Sequence, residues 1–246
     1  MLETLLAMTG PWGIVVPIFW AWMIFDCVKN EPDRQTWLWI LLFLNAFGAL
    51  IYFLTRWLPR ANLPQLKRFQ YRQKLWNAEA AVRNLGKAHQ YVGLGDVLVE
   101  MGEWNRAREA FQQALDKEPK NVNALWGSAL VAMHDKQYAI ARDLLAAILK
   151  TDFEARFGEV SLLYGQALFE LPDWQTAKPH LEKDIRFWSH PESSLRLALI
   201  LSQEGQKAEA RDRLQTMLDR IQASPMYHHR RHRSTIRQAE KLLRSL

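Results

Sequence analysis

The sequence has one cysteine, Cys27, in 246 residues, so no disulfide can form within the chain. It contains no glycine-rich phosphate loop, no nucleophile turn of an α/β-hydrolase and no helical pair of zinc-binding histidines. Acidic residues such as Asp152, Glu154 and Glu170 are scattered rather than paired. These absences argue against a disulfide scaffold and against the common hydrolase, kinase and metalloprotease chemistries. We therefore expect a protein that is not an enzyme and that binds no cofactor.

Charged residues are also missing from two long stretches near the N-terminus. None occurs in residues 4–25 or in residues 36–55, and six of the eleven tryptophans precede Pro59. Each stretch is close to the roughly 20 residues that span a bilayer as a helix. Trp12, Trp37 and Trp57 stand near the ends of these stretches, where aromatic side chains meet the membrane interface. The pattern predicts a two-helix transmembrane hairpin in residues 1–60.

Two other interpretations of these stretches stay open. A secretory signal peptide has a basic start and small residues at its cleavage site, whereas Glu3 precedes the first stretch and Trp22 and Phe25 lie near its end. The second alternative is a pair of buried helices in a soluble domain. Two consecutive uncharged stretches joined by a short polar loop favour the membrane hairpin.

Basic residues without acidic neighbours follow the second stretch. The next acidic residue is Glu79, and the segment before it predicts a basic amphipathic linker helix in residues 61–87. Its cations are candidates for contact with anionic lipid or with an acidic partner: Arg56, Arg60, Lys67, Arg68, Arg72 and Lys74. The positive-inside rule then predicts that both termini lie on the cytoplasmic side of a bacterial inner membrane, or on the equivalent side of an organelle membrane.

From Ala88 onward the sequence repeats with a period of about 34 residues. The first unit has a large residue at Tyr91, the pair Leu94–Gly95, a turn glycine at Gly102 and a closing Pro119. Small residues recur at the helix-crossing positions of later units: Ala107, Ala141, Ala177 and Ala210. This pattern resembles the tetratricopeptide repeat and predicts an all-α solenoid of about four repeats in residues 88–223, with an insertion at residues 151–157. An ordinary helical bundle is the alternative.

The resemblance implies a concave face, lined by the first helix of each repeat, that binds a protein partner. Carrying the repeat pattern onto this chain gives the groove residues Val92, Asp96, Trp126, Leu130, Met133, Leu162, Gln166, Phe169 and Leu195. The basic clamp that some members use for a C-terminal carboxylate is not supported, since Asp96 and Glu159 occupy two of its places. A flanking helix that covers this groove is an equally weighted alternative.

The second apolar stretch resembles the N-terminal membrane hairpin of cardiolipin synthases. Trp37 opens it and Gly48 and Tyr52 stand toward its end, although the central proline of that pattern is missing. This resemblance implies an anchor rather than an activity. The catalytic motif of the synthases is incomplete at its nearest approach, because Ala141 stands where an aspartate should follow His134 and Lys136.

Residues 224–246 predict a basic capping helix for the solenoid. Ser224 and Pro225 are typical of a helix start, and a basic cluster follows. Its arginines are further candidates for contact with anionic lipid or an acidic partner: Arg230, Arg231 and Arg233. Metal binding by His228 and His232 and nucleic-acid binding are less favoured, because acidic ligands and base-stacking aromatics are missing.

Together these patterns predict a membrane-anchored scaffold or assembly factor that binds a protein partner at the cytoplasmic membrane face. Two alternatives stay open, a protein that recognises anionic lipid and an accessory subunit of a membrane enzyme or transporter. Binding of the repeats to liposomes would favour the first of these. A membrane complex that survives removal of the repeats would favour the second.

Overall fold

The computed structural model describes residues 12–31, 33–58 and 64–246, and for residues 12–14 and 64–69 the backbone alone. Helices and the turns between them make up this part of the chain, with no β-strand in it. The chain divides into two compact units, Met1–Gln70 and Tyr71–Leu246. The all-α fold class predicted from the sequence agrees with these elements.

In the described residues 12–31 and 33–58 of the N-terminal unit, helices pack around a small apolar core. These are α1 (Trp12–Asn30), α2 (Arg34–Phe43) and α3 (Asn45–Tyr52), which continues into a π-helical turn at Phe53–Trp57. The core residues are Met23, Cys27, Leu41, Ala49 and Tyr52. Two polar bonds tie α1 to the other helices: the Trp20 indole donates to the Leu41 carbonyl at 2.8 Å, and the Tyr52 hydroxyl donates to Asp26 at 3.0 Å.

The second apolar stretch is not one continuous helix, contrary to the expectation of a single span. It breaks at Leu44, and Asn45 has φ +46°, a left-handed conformation that asparagine tolerates better than most residues. Gly48 then lies so close to α2 that an added Cβ would be 2.5 Å from the Ile40 carbonyl oxygen. The ring of Tyr52 contacts Trp37, so α3 runs back along α2.

Among the described residues, no helix combines the length and the apolar character needed to cross a bilayer.

The second unit consists of helix pairs stacked in chain order. The C-terminal part of α4 (Pro64–Leu85) precedes them, and in this unit Lys74 pairs with Glu100 at 2.8 Å and Glu79 with Arg106 at 2.8 Å. The paired helices are α5 (Ala88–Met101) with α6 (Trp104–Lys117), α7 (Val122–His134) with α8 (Tyr138–Thr151), α9 (Glu159–Glu170) with α10 (Trp174–Trp188), and α11 (Pro191–Gln203) with α12 (Lys207–Gln222).

Local sequence explains where these helices begin and end. Gly102 has φ +77° and ends α5 in a left-handed turn that a Cβ would strain. Asn121 caps α7, since its side chain accepts a hydrogen bond from the Ala124 amide at 3.1 Å. Pro191 occupies the first turn of α11, where its missing N–H costs nothing.

The first two helix pairs meet around one aromatic ring. Phe111 of α6 is fully buried, and its ring fills the space above Gly95 of α5. A Cβ added at Gly95 would lie 2.5 Å from this ring, and one added at Gly127 of α7 would also overlap it. The ring is therefore held between glycines of two successive pairs.

Two helices cap the C-terminal end, α13 (Met226–Arg231) and α14 (Arg233–Ser245). The predicted single capping helix is thus divided at His232, whose Nδ1–H donates to Glu192 of α11 at 2.7 Å. Thr235 donates to the same carboxylate at 3.1 Å. These two bonds fix the start of α14 against α11, while Ala239 and Leu243 pack on the core of the last two pairs.

Candidate protein-binding surface of the solenoid

The predicted groove residues differ in how deeply their side chains are buried. Val92, Trp126 and Leu195 are buried, so their side chains are part of the packing rather than of an open surface. Asp96 is exposed, and the other five are half-buried: Leu130, Met133, Leu162, Gln166 and Phe169. Leu130 and Met133 pack beside Trp126, and Phe169 lies at the edge of the core of the last two pairs.

Trp126 is buried because a basic side chain covers it. Only 7% of Trp126 is exposed, and the Arg156 guanidinium stacks over its ring at 4.7 Å. Arg156 also pairs with Glu159 at 3.5 Å. Partial desolvation raises the pKa of Asp96, and the nearby charge of Arg156 opposes that shift. Arg156 therefore contacts both Trp126 of α7 and Glu159 of α9, a role that its sequence position did not suggest.

Leu195 and Val92 are buried for a different reason. Leu195 belongs to the core against which Ile236, Leu242 and Leu243 of the capping helix pack. Val92 belongs to the core around Phe111, beside Ala88 and Leu98. The capping helix thus contributes to the core that takes up Leu195, in line with the covered-groove alternative at that end of the solenoid.

The insertion between the second and third pairs has an unusual backbone. Arg156, Phe157 and Gly158 have φ values of +51°, +52° and +85°, three left-handed residues in succession. Non-glycine residues in this region are strained by about 1–3 kcal/mol each. Gly158 lies against the indole of Trp188, where an added Cβ would be 2.5 Å from the ring. Phe157 is 89% exposed, more than any other large apolar side chain in the described residues.

This insertion forms one wall of a cavity of about 970 Å³ in the C-terminal half of the solenoid, which we call the insertion cavity. Besides Arg156 and Phe157, its walls come from Leu162 of α9, the C-terminal ends of α10 and α12, the start of α11, and α13. Leu162 is the predicted groove residue that it contains. The sequence offered no signal for this cavity, because it depends on how five helices pack.

The predicted basic contacts have different surroundings. Arg56 stacks over Trp37 at 5.5 Å and lies 3.7 Å from Glu31, while Lys74 is bonded to Glu100. Arg72, Arg230 and Arg233 are exposed, and Arg231 is exposed at the insertion cavity. Arg60 lies outside the described residues, as do the side chains of Lys67 and Arg68.

A buried polar cluster joins the third and fourth pairs, and the sequence analysis missed it. Asp184 of α10 is fully buried and accepts hydrogen bonds from Ser193 at 2.6 Å and from His190 at 2.9 Å. Burial alone raises the pKa of Asp184, but hydrogen bonds from His190, Ser161 and Ser193 outweigh it and hold the pKa below its usual range. Because the Ser193 hydroxyl donates to the carboxylate and not to the imidazole, this is not the geometry of a hydrolase triad.

Two family profiles match parts of the chain. The tetratricopeptide repeat profile matches residues 92–155, which include the first two helix pairs from Val92 onward and end where the insertion begins. The profile of the N-terminal segment of phospholipase D-nuclease proteins matches residues 18–57, in the N-terminal unit. None of the curated proteins compared with the chain matches it.

Solved structures with a similar fold cover the solenoid. MamA from Desulfovibrio magneticus RS-1 is 18% identical, with a TM-score of 0.58 over 65% of this chain and 91% of that chain. MamA from AMB-1 is 17% identical, with a TM-score of 0.54 over 66% and 96%. YrrB, described as a TPR protein with an unusual peptide-binding site, is 18% identical, with a TM-score of 0.53 over 68% and 89%. The fold of the second unit is thus similar to a tetratricopeptide solenoid.

Proposed function

We propose that the chain is a membrane-anchored scaffold or assembly factor that binds a protein partner through its solenoid. The single observation that carries this proposal is that, at the predicted groove positions, Asp96 is exposed and four apolar residues are only half-buried: Leu130, Met133, Leu162 and Phe169. Surfaces of this composition are typical of sites that bind other proteins. The peptide-binding site named for YrrB, which shares the fold, agrees with this proposal.

The N-terminal unit is the proposed anchor. Large apolar side chains are exposed on it, among them Ile18, Phe25, Trp39, Phe43 and Phe47. A surface this apolar is unfavourable in water and would be stabilised by lipid. The profile match at residues 18–57 supports the same assignment. A scaffold held at a membrane raises the effective concentration of its partner there without any new contact.

The binding surface is tested by affinity purification of the full chain from membranes, with mass spectrometry of the proteins that co-purify. Met133→Ala and Phe169→Ala should lose the partner, while their melting temperatures stay close to that of the unaltered chain. Ile140→Ala is the matched control, because Ile140 is an exposed apolar residue on α8 and outside the predicted groove. If both groove variants keep the partner, the solenoid binds through another face.

The anchor is tested by reporter fusions at Leu246 and within residues 33–35. The proposed orientation has both termini in the cytoplasm, and the basic segment after the second stretch supports it. A hairpin that crosses the bilayer would put the loop reporter on the opposite side from Leu246. If both reporters read as cytoplasmic, the unit enters the membrane from one side only. An exported reporter at Leu246 would contradict the proposed orientation.

Anionic lipid recognition is a second candidate function, favoured by the exposed arginines Arg72, Arg230, Arg231 and Arg233. Lipid binding of this kind weakens steeply with salt. Sedimentation with phosphatidylglycerol vesicles at low and high ionic strength tests this lipid binding.

A third candidate function is that of an accessory subunit that binds a membrane enzyme or transporter through its N-terminal unit. This function predicts that the membrane complex survives deletion of the solenoid.

A further inference from the structure

The insertion cavity has an unbalanced set of charged groups in its walls. Its arginines are Arg156, Arg213, Arg220 and Arg231, and its acidic residues are Glu159, Glu192 and Asp212. Two of the three acidic groups already have partners within the fold, Glu159 on Arg156 and Glu192 on His232. Arg213 pairs with Glu209, so Arg220 and Arg231 are the arginines of these walls for which the described residues provide no ion pair.

Two hydrogen-bond donors in the same walls also lack acceptors. Within the described residues, the buried Nε–H of Arg213 and the buried Nε1–H of Trp188 have no hydrogen-bond partner. Arg213 does reach Glu209 through its Nη2 atom at 3.5 Å, but this exposed pair leaves its Nε–H unused. Buried donors without partners destabilise a protein by about 1–3 kcal/mol each.

The cavity is also apolar at one edge. Phe157 projects from the strained insertion and is nearly fully exposed, and the Trp188 indole lies behind it on Gly158. Leu162 and Ile185 continue this apolar wall. An exposed phenylalanine on a strained backbone is unfavourable unless something covers it.

We infer that the insertion cavity binds an acidic peptide segment of the partner, with carboxylates on Arg213, Arg220 and Arg231 and an apolar side chain against Phe157 and Trp188. This inference rests on the proposed function and names the chemistry of the segment that is bound. The planar guanidinium of arginine can donate two parallel hydrogen bonds to one carboxylate, and these bonds both attract the carboxylate and fix its orientation. The volume suits a short segment, since sites for compact ligands measure about 300–1,000 Å³.

The charge alone would also suit a lipid headgroup, but the other features favour a peptide. A headgroup offers its phosphate but has no apolar side chain at the same depth to cover Phe157. A peptide places acidic and apolar side chains a few ångströms apart on one backbone.

The test uses the full chain in a non-ionic detergent and a fluorescent octapeptide of alternating glutamate and leucine with blocked ends. Its binding is followed by fluorescence anisotropy. The double variant Arg213→Gln/Arg220→Gln should bind about tenfold more weakly or worse, because each arginine contributes a charged hydrogen bond. Arg211→Gln is the matched control, since Arg211 is exposed on the same helix and outside the cavity. It should change the affinity by less than about twofold.

Two further arms separate the charged and apolar parts of the site. A peptide with glutamine in place of glutamate should lose binding to the unaltered chain. Phe157→Ser should weaken the glutamate–leucine peptide but not a glutamate–serine peptide, and this exposed position leaves the core intact. Equal melting temperatures exclude misfolding of any variant.

The outcomes are decisive in both directions. If the double variant and the Arg211→Gln control bind alike, or if the glutamine peptide binds as well, the inference is overturned. Binding of phosphatidylglycerol vesicles that is lost in the double variant, without any peptide binding, would assign the cavity to lipid instead. Partner capture from membranes without acidic-peptide binding would overturn the inference and leave the proposed function standing. Failure of the unaltered chain to capture any partner would overturn the proposed function.

Discussion

Between the first and second helix pairs, the ring of Phe111 fills the space that Gly95 and Gly127 leave open. Between the third and fourth pairs, the apolar core that includes Leu168, Leu181 and Leu197 lies beside a polar cluster, in which the buried carboxylate of Asp184 accepts hydrogen bonds from Ser193 and from the half-buried His190. The two junctions join similar pairs of helices by different means. The first depends on shape and apolar burial, which are insensitive to pH, and the second adds a buried ionised group to its apolar core. The solenoid should therefore respond to acid mainly at its C-terminal half.

Removal of the Phe111 ring should have the largest effect. Phe111→Ala leaves a cavity between two pairs and should destabilise the solenoid by about 3–5 kcal/mol. Because the stability of a solenoid is close to a sum of neighbour terms, the loss should concentrate in α5–α8. Amide hydrogen exchange, resolved by helix, measures this. Equal acceleration of exchange in α11 and α12 would show that the two junctions are not independent.

Two glycine substitutions on α5 should have opposite signs. Gly95→Ala places a methyl group against a ring that Gly127 already confines on its other side, so we expect a loss of about 1–3 kcal/mol. Gly93→Ala, two residues earlier, meets nothing within 4 Å and should stabilise the helix by about 0.5–1 kcal/mol. Urea unfolding followed by circular dichroism compares them. Equal effects would place Gly95 away from the helix crossing.

Asp184→Asn should destabilise the polar junction by about 1–3 kcal/mol at neutral pH, because a neutral amide satisfies Ser193 and His190 less well than a carboxylate. The pKa of Asp184 is depressed in the folded protein. Its contribution is therefore complete above an unfolded pKa of about 3.9 and is lost as the pH falls through the lower folded value.

Asp184→Asn should lack the loss of stability that comes from protonation of Asp184 in acid, whereas Phe111→Ala should keep that loss. His180 of α10 adds a second acid-dependent loss of stability, which begins at a higher pH. Burial lowers its pKa, so its contribution declines as the pH falls below about 6.5, and Asp184→Asn retains that part. Melting temperatures measured from pH 7 to about pH 2 separate the two groups, because the loss at Asp184 falls mostly below about pH 3.9. An identical acid response in both variants would contradict the assignment to Asp184.

The smallest effect on stability is expected at the stacking of the Arg156 guanidinium on the Trp126 ring, between the second and third helix pairs. Arg156→Gln removes a partly exposed cation–π contact and should cost about 0.5–1 kcal/mol. It should also raise the exposure of Trp126, which acrylamide quenching of tryptophan fluorescence detects. A matched change at Arg142, which pairs with Asp143 on α8, should leave the quenching unchanged.

Much of the solenoid could be predicted because its signals are local. Gly102 marks a left-handed turn, the alanines mark helix crossings, and the period separates the pairs. The repeat also predicted that Gly95 lies at a crossing, and the ring of Phe111 confirms it. The break of the second apolar stretch was visible only as an asparagine and a glycine, Asn45 and Gly48, whose effect depends on packing against Ile40.

The candidate sites could be predicted less well, because they depend on contacts between distant residues. The groove positions follow from helix spacing, but nothing in the spacing indicates that Arg156 covers Trp126 or that the capping helix packs on the core containing Leu195. The insertion was visible as extra residues, whereas its left-handed backbone and its contact with Trp188 were not. The buried cluster at Asp184 has no sequence signature, since its three members lie on different faces of two helices and a turn.

The ring of Phe111 between two glycines has a mechanical consequence for the solenoid. A stack of helix pairs behaves as a spring whose stiffness is set at each junction. At the first junction, any rotation of one pair on the next would drive the backbone of α5 or α7 into a closely confined ring. The first two helix pairs should therefore move together as one rigid body. If the two ends of the solenoid were pulled apart, extension should begin in the later junctions and should become easier in acid.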